Sequence, residues 1–388
     1  MALVMVSGAL ANKPFNGGNA WSRLSWVRGF QRLGFEVCFV EQIGRDGCVD
    51  AAGQTCPFHS SINLAYFREV MARFDLTNAC SLIYRDGEEA YGLSLPQLSA
   101  LANQATLLFN LSGHLGISDL KPKTACKVYY DDDPGYTQFW HAAQNPGARL
   151  WDHDFYFTLG ANIGRPECPI PTSGIRWVPT RPPVVLDDWP TVPQPRLDRF
   201  TTVASWRGAY GPVHFNGVTY GLKVHEFRKF IELPQLAAIP FEIALQIHAA
   251  DHKDLEALLR QRWRITDPRK VAGSVDDFRR FVQESAAEFS VAQGVYVATN
   301  SGWFSDRTVR YLASGKPVLI QDTGLNQIYP VGRGLLTFQT LEEAVAAVEE
   351  LSANYTEHCV AARHLAEDFF DSDKIIRAVL REIGVAEP

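Results

Sequence analysis

The stretch NSGWFSDRTVRYLASGKPVLIQD, residues 300–322, decides how the chain folds. A glycine, two aromatic residues and a Ser-Asp pair lead into a segment whose apolar period predicts a helix over 306–313. Gly315 supplies the stop, and the apolar run after it predicts a strand over 317–320. A loop, a helix and a strand in that order form the repeating unit of a parallel α/β layer. The helix start also presents free N–H groups and the positive end of a dipole, which suits an anion. Ser305 is the expected N-cap, and Asp306, Arg307 and Thr308 make the first turn. A cation at Arg307 opposes that dipole, and an anion seated between the two reverses the sign.

The same alternation continues on both sides. Strands are predicted over 2–7, 36–41, 81–84, 106–111, 127–131 and 155–158, then over 200–204, 242–247, 263–266, 288–291, 294–297, 317–320 and 335–338. Runs such as EVCFVE and TLLFNL are apolar on consecutive residues, as strands buried on both faces of a parallel sheet are. Helices are predicted in AWSRLSWVRGFQRLG (20–34) and over 223–231, 253–261, 275–284, 306–313, 341–351 and from Tyr355 onward. Nine of the 22 prolines fall between Pro166 and Pro195, a density that blocks helix and interior strand alike. That stretch reads as a linker or as an extended segment along a domain junction.

A length of 388 residues suits two cores of about 150–200 residues each. The expectation is therefore two doubly wound α/β domains facing across a cleft. Residues 1–180 form the first and 199–370 the second, with the proline-rich linker at 166–198. A last helix over 371–388 is set to pack back on the first domain. Such a pair places its best pocket at the carboxyl ends of the two sheets.

Composition narrows the function. A net charge of -6 argues for no nucleic-acid partner, since nucleic-acid binders usually carry a basic domain. No apolar run approaches the roughly 18 residues of a membrane span. The first residues read as a strand, not as a signal peptide. Seven cysteines without a CxxC pair fit reduced thiols in a cytoplasm, and scattered histidines offer no metal site.

Three further stretches carry candidate chemistry. In NKPFNGGNAW, Gly17 and Gly18 let backbone approach a ligand, and Asn19 is placed to cap the next helix. Past the strand at 200–204, Arg207 and Lys223 flank the mouth of the same crevice and could clamp a diphosphate. In VYYDDDPGYTQFW, three aspartates end a strand, where they could hold a divalent metal or supply a general base. Asp133 is the candidate base there, and His114 in NLSGHLG is the other. Trp303 and Phe304 could stack on a ring.

With these residues the chain resembles glycosyltransferases of the GT-B fold. The resemblance is carried by GGNAWSRLSWVRGFQRLGFEV, WDHDFYFTLGANIG and, above all, EFSVAQGVYVATNSGWFSDRTVRYLASGKPVLIQDTG. It implies that the second domain binds a nucleotide sugar and the first a small-molecule acceptor, of which a natural product is one kind. Arg207, Lys223, Gly17, Gly18, Ser305, Asp306, Arg307 and Thr308 then hold the donor diphosphate. Ser301, Gly302, Trp303 and Phe304 face its sugar, and Lys270, Val271 and Ala272 edge the base. The resemblance implies no metal and no cofactor beyond the nucleotide-sugar co-substrate, with UDP, GDP and dTDP all open. Glutamates at an E-x7-E spacing are common in the retaining members. Here those positions hold Gly302 and Arg310. That departure keeps two alternatives alongside transfer: an epimerase or hydrolase acting on nucleotide sugars, or a binding protein without catalysis.

Overall fold

Runs of consecutive apolar residues make strands that lie inside two sheets, because both faces of each strand are covered by helices. The computed structural model describes residues 2–117, 120, 124–150, 152–237 and 239–388. The first sheet contains β1 (Leu3–Ser7), β2 (Glu36–Ile43), β3 (Cys80–Tyr84), β4 (Glu89–Gly92), β5 (Ala105–Leu111), β6 (Lys127–Asp131), β7 (Phe155–Thr158) and β8 (Trp177–Pro179). Their order is β4-β3-β2-β1-β5-β6-β7-β8, parallel except for β4, which returns antiparallel on β3 at the edge. The second sheet holds β9 (Phe200–Ser205), β12 (Phe241–Gln246), β13 (Arg264–Thr266), β14 (Ala287–Ser290), β15 (Val318–Gln321) and β16 (Leu335–Phe338). It runs β13-β12-β9-β14-β15-β16 and is parallel throughout. A separate hairpin of β10 (Val213–Phe215) and β11 (Val218–Tyr220) follows β9.

Both sheets have a topological switch point, between β1 and β5 in the first and between β9 and β14 in the second. Connections leave to opposite sides there and open a crevice at the carboxyl ends of the strands.

Two expectations change. Residues 294–297 form no strand but belong to the helix Gly294–Ala298. A four-residue apolar run carries too little periodicity to choose, and packing makes the choice. The proline-rich stretch also carries β8, which pairs with β7 as the edge of the first sheet, where prolines are tolerated.

An apolar seam joins the two sheets' layers. Trp21 in the helix Gly17–Arg32 meets Trp189 edge-on at 5.1 Å, and Trp189 meets Phe278 of the helix Val275–Gln283 at 6.1 Å. Trp21 Nε1 donates to the Val275 carbonyl at 2.8 Å, so the indole is satisfied as it crosses the seam. The helix Ser372–Ile383 lies against the same first helix, and its lead-in bridges Val184 through Asp371.

Gly17 sits where this seam is tightest. Its amide donates to the Ala272 carbonyl at 3.0 Å, and a Cβ there would lie 2.1 Å from the Ser274 carbonyl oxygen. Gly17→Ala should therefore cost about 1–3 kcal/mol. Gly44→Ala, at φ −87° in open space, should be neutral or slightly stabilising. Urea unfolding of the two variants checks the contrast.

Candidate functional site

Between the two switch points lies a cleft of about 880 Å³, within the range of small-molecule sites. Its second-domain wall is built on β9, β12 and the start of the helix Asp306–Ala313. Ser305 caps that helix, its Oγ accepting from the Arg307 amide at 3.2 Å. Arg307 is an internal strut as well as a lining residue. It donates through Nε to Glu288 and at 2.8 Å from Nη1 to the Val203 carbonyl; Nη2 donates to Ser290 Oγ at 2.6 Å. Glu288 lies on β14 and is fully buried, which makes this a desolvated ion pair tying helix to sheet.

Beside it stands Lys223, at the start of the helix Lys223–Phe227. Burial and the Arg307 guanidinium lower its ammonium from the usual lysine range to about 7. Lys223, Lys13 and Arg269 line the cleft with no side-chain hydrogen bond or ion pair among the described residues. These three cations share the cavity wall with the carboxylates of Asp132, Asp133, Asp267 and Asp306.

The first-domain wall carries the aspartates, and they do not act as a set. Asp131 is sealed beneath the strand end, accepting from Thr137 Oγ1 at 2.8 Å and from Gln138 Nε2 and Thr158 Oγ1 at 2.7 Å each. Asp132 accepts from Arg23 Nη2 at 3.0 Å and from Ser112. Burial works to raise its carboxyl, but Arg23 and Lys13 hold it below the usual range. Asp133 lines the cleft, and Tyr296 Oη donates to its Oδ1 at 3.0 Å. Burial and the neighbouring Asp132 push its carboxyl up to about 6. Asp131 turned inward leaves no three-aspartate metal cluster, and no group of three or more such ligands converges elsewhere among the described residues.

Of the residues expected at the site, Gly18, Lys223, Asp306, Arg307, Trp303, Ala272 and Asp133 do line the cleft. The others stand back from it. Arg207 forks onto Asp251, with Nε donating at 2.9 Å, and half its side chain faces solvent. His114 is spent: Arg149 Nη1 sits 2.9 Å from its Nδ1. Since arginine only donates, that lone pair is taken and the ring proton rests on Nε2, leaving no basic nitrogen. Burial and the cations Arg149, Arg23 and Lys13 hold the imidazole down at about 3. Gly17 faces Ser274 across the seam, so its missing side chain admits the other domain and no ligand.

The loop before the helix is likewise used for packing. The Ser301 carbonyl accepts from the Asn162 amide at 3.0 Å, and a Cβ on Gly302 would meet that amide nitrogen at 3.0 Å. Phe304 packs on Phe370 at 4.6 Å, and Thr308 is fully buried with its hydroxyl unpartnered. Ser305 is buried as the cap. Lys270 points to solvent and Val271 packs on the core, while their neighbours Asp267, Pro268 and Arg269 line the cleft. The helix cap is also one turn earlier than expected: Asn16 accepts from the Asn19 amide at 3.0 Å, and Asn19 Nδ2 donates to the Ala9 carbonyl.

Lys13, Arg23 and Arg269 were not singled out from sequence. Lys13 follows the carboxyl end of β1, the same position that drew attention to Arg207, and that was the available signal. Arg310 lines the cleft floor, fully buried, with Nη2 on Ser25 Oγ at 3.2 Å and Nε unpartnered.

Solved structures share this architecture over the whole chain. An alpha-glucosyltransferase (AGT) in complex with UDP has a TM-score of 0.62 at 12% identity, over 99% of this chain and 100% of that one. The fold is GT-B. HepE of Anabaena in complex with UDP and glucose gives 0.59 at 11% identity, over 99% of this chain and 100% of that one. Alpha-glucosyltransferase with UDP and a 13-mer DNA containing a HMU base gives 0.59 at 12%, over 98% and 99%. No family model matches the sequence, and no curated protein does. The DNA complex corrects one expectation, that of no nucleic-acid partner. A GT-B protein of this shape is seen on DNA, and an acidic net charge does not rule such a partner out. No helix among the described residues is long and apolar enough to cross a membrane.

The buried Glu288–Arg307 pair yields a stability prediction. Glu288→Gln leaves a guanidinium buried without its counter-charge and should cost roughly 3–5 kcal/mol at pH 7. Replacing both residues by apolar ones, as Glu288→Leu with Arg307→Met, should recover much of that loss in urea unfolding.

Proposed function

We propose that the cleft binds a nucleoside diphosphate sugar, UDP-linked in the first instance, and transfers the sugar to an acceptor held against the first domain. The carrying observation is the Lys223 ammonium, without a partner beside Arg307 at the start of the helix Asp306–Ala313. A diphosphate there meets a point charge, a fixed guanidinium and the helix dipole together. These GT-B neighbours are glycosyltransferases, all three holding UDP, and this supports the same reading.

In the transfer, the acceptor oxygen forms a bond to the anomeric carbon while the bond from that carbon to the diphosphate breaks. The electron pair leaves on the diphosphate, and Lys223 with the helix start stabilises the charge that develops there. Asp133 takes the acceptor's proton in an inverting course. Asp267, Pro268 and Arg269, beyond the carboxyl end of β13, lie where the nucleoside would extend. A small-molecule acceptor is the proposed class. Seven free cysteines favour a reducing compartment such as the cytoplasm.

Calorimetry with UDP, GDP and dTDP tests the donor site. UDP is expected to bind, and no binding by any of the three would sink the proposal. Turnover of UDP-sugars with small alcohols and with HMU-containing DNA then assigns the acceptor.

Lys223 gives the pH dependence. Its free-state pKa lies near 7, and a bound diphosphate raises it, so binding takes up a proton above that pH. UDP affinity should be flat just below pH 7 and fall by up to about tenfold per unit between pH 7 and 9. Lys223→Met should weaken UDP roughly tenfold or more and remove that slope.

A further inference from the structure

Asp133 belongs to the first domain, yet the hydrogen bond that orients it comes from the second. Tyr296 Oη donates to Asp133 Oδ1 at 3.0 Å, while Oδ2 receives no hydrogen bond among the described residues. Tyr296 is almost fully buried and cannot drift. Its ring lies 4.5 Å from Trp303, tilted by 30°, and meets Tyr136 edge-on at 6.2 Å. Trp303 in turn lines the cleft. The helix Gly294–Ala298 that carries Tyr296 is wedged in place, because a Cβ on Gly294 would lie 2.7 Å from the Gly221 carbonyl oxygen.

The hairpin after β9 clamps the same edge. Phe215 and Tyr220 pack on Phe139 at 5.1 and 4.8 Å, and Tyr210 packs on Trp140 at 4.7 Å. The second domain thus grips the helix Tyr136–Ala142 directly after Asp133 and adds a hydroxyl to its carboxylate.

Resting on the transfer reading above, we propose that Tyr296 is a positioning residue: from the second domain it fixes Asp133 so that Oδ2 is presented to the acceptor hydroxyl only when the domains are together. A carboxylate held through one oxygen has one rotamer and one basic lone-pair set directed at substrate. In the step, Oδ2 takes the hydroxyl proton, the acceptor oxygen bonds to the anomeric carbon, and the diphosphate departs with the electron pair of the broken bond. The groups that face Asp133 are Asp132, Lys13 and Arg23 from its own domain, Tyr136 from the following helix, Tyr210 from the segment between β9 and the hairpin, and Tyr296. Tyr296 is the one donating to it.

The test is Tyr296→Phe, which keeps the ring and removes the donor, read by the pH profile of kcat/KM with a UDP-sugar and a saturable acceptor. The unaltered enzyme should show an acidic limb near pH 6. Losing a donor to the charged form moves that limb to higher pH, by about half a unit, and lowers kcat by on the order of tenfold. Asp133→Asn should abolish the limb. A merely structural Tyr296 would lower the melting temperature of the variant and leave the limb where it was, overturning the proposal. A limb that survives in Asp133→Asn, or is absent from the unaltered enzyme, also overturns it. UDP binding separates the two ideas: binding with an unmoved limb removes only the role of Tyr296, whereas no nucleotide binding removes the donor reading as well.

Discussion

The contact on which the rest depends is the one between the Gly17 amide and the Ala272 carbonyl, with Trp21 Nε1 on the Val275 carbonyl one turn along. It brings the first helix of one domain onto a loop and helix of the other, at the base of the cleft. A side chain at position 17 would occupy the space of the Ser274 carbonyl. The width of the cleft follows from that approach, and so does everything that reaches across it. Ser22 donates to Asp306, Arg310 reaches Ser25, and Tyr296 reaches Asp133.

Within this frame the charges divide into two kinds. Arg307, Arg23 and Arg310 are buried struts whose guanidinium groups are mostly committed to carboxylates, carbonyls and hydroxyls. Lys13, Lys223 and Arg269 have no such commitment. Struts hold shape, because removing one partner strands a buried charge. Of these three, Lys223 is the desolvated one, and a contact to a desolvated charge is stronger than one in water.

The fold was legible because its signals are local and repeated. The consecutive apolar residues of EVCFVE and TLLFNL, and the cap-and-stop pattern around residues 305–315, each specify an element within a few residues. The site was legible only in part, since a residue's distance from a cavity is a property of two domains at once. Arg207 has the position and chemistry of a phosphate ligand, but Asp251, 44 residues later, accepts from its Nε and Nη2 and draws the fork away from the cleft. Gly302 and Gly17 looked like ligand approaches and are approaches of protein to protein. Lys13 passed unremarked although it follows a strand's carboxyl end, and Arg23 because nothing in its neighbours marks it.

The sequence by itself determined the two parallel layers, their proline-rich junction and the helix start at Ser305, since apolar period, glycine stops and capping residues act over one turn or one strand. Tertiary structure decided which cations stay free, which aspartate faces the cleft, and that residues 294–297 coil and do not extend. Those outcomes turn on partners far along the chain: Glu288 for Arg307, Arg23 for Asp132, and Tyr296 for Asp133. Burial sets their energies, and burial is a property of the packed fold.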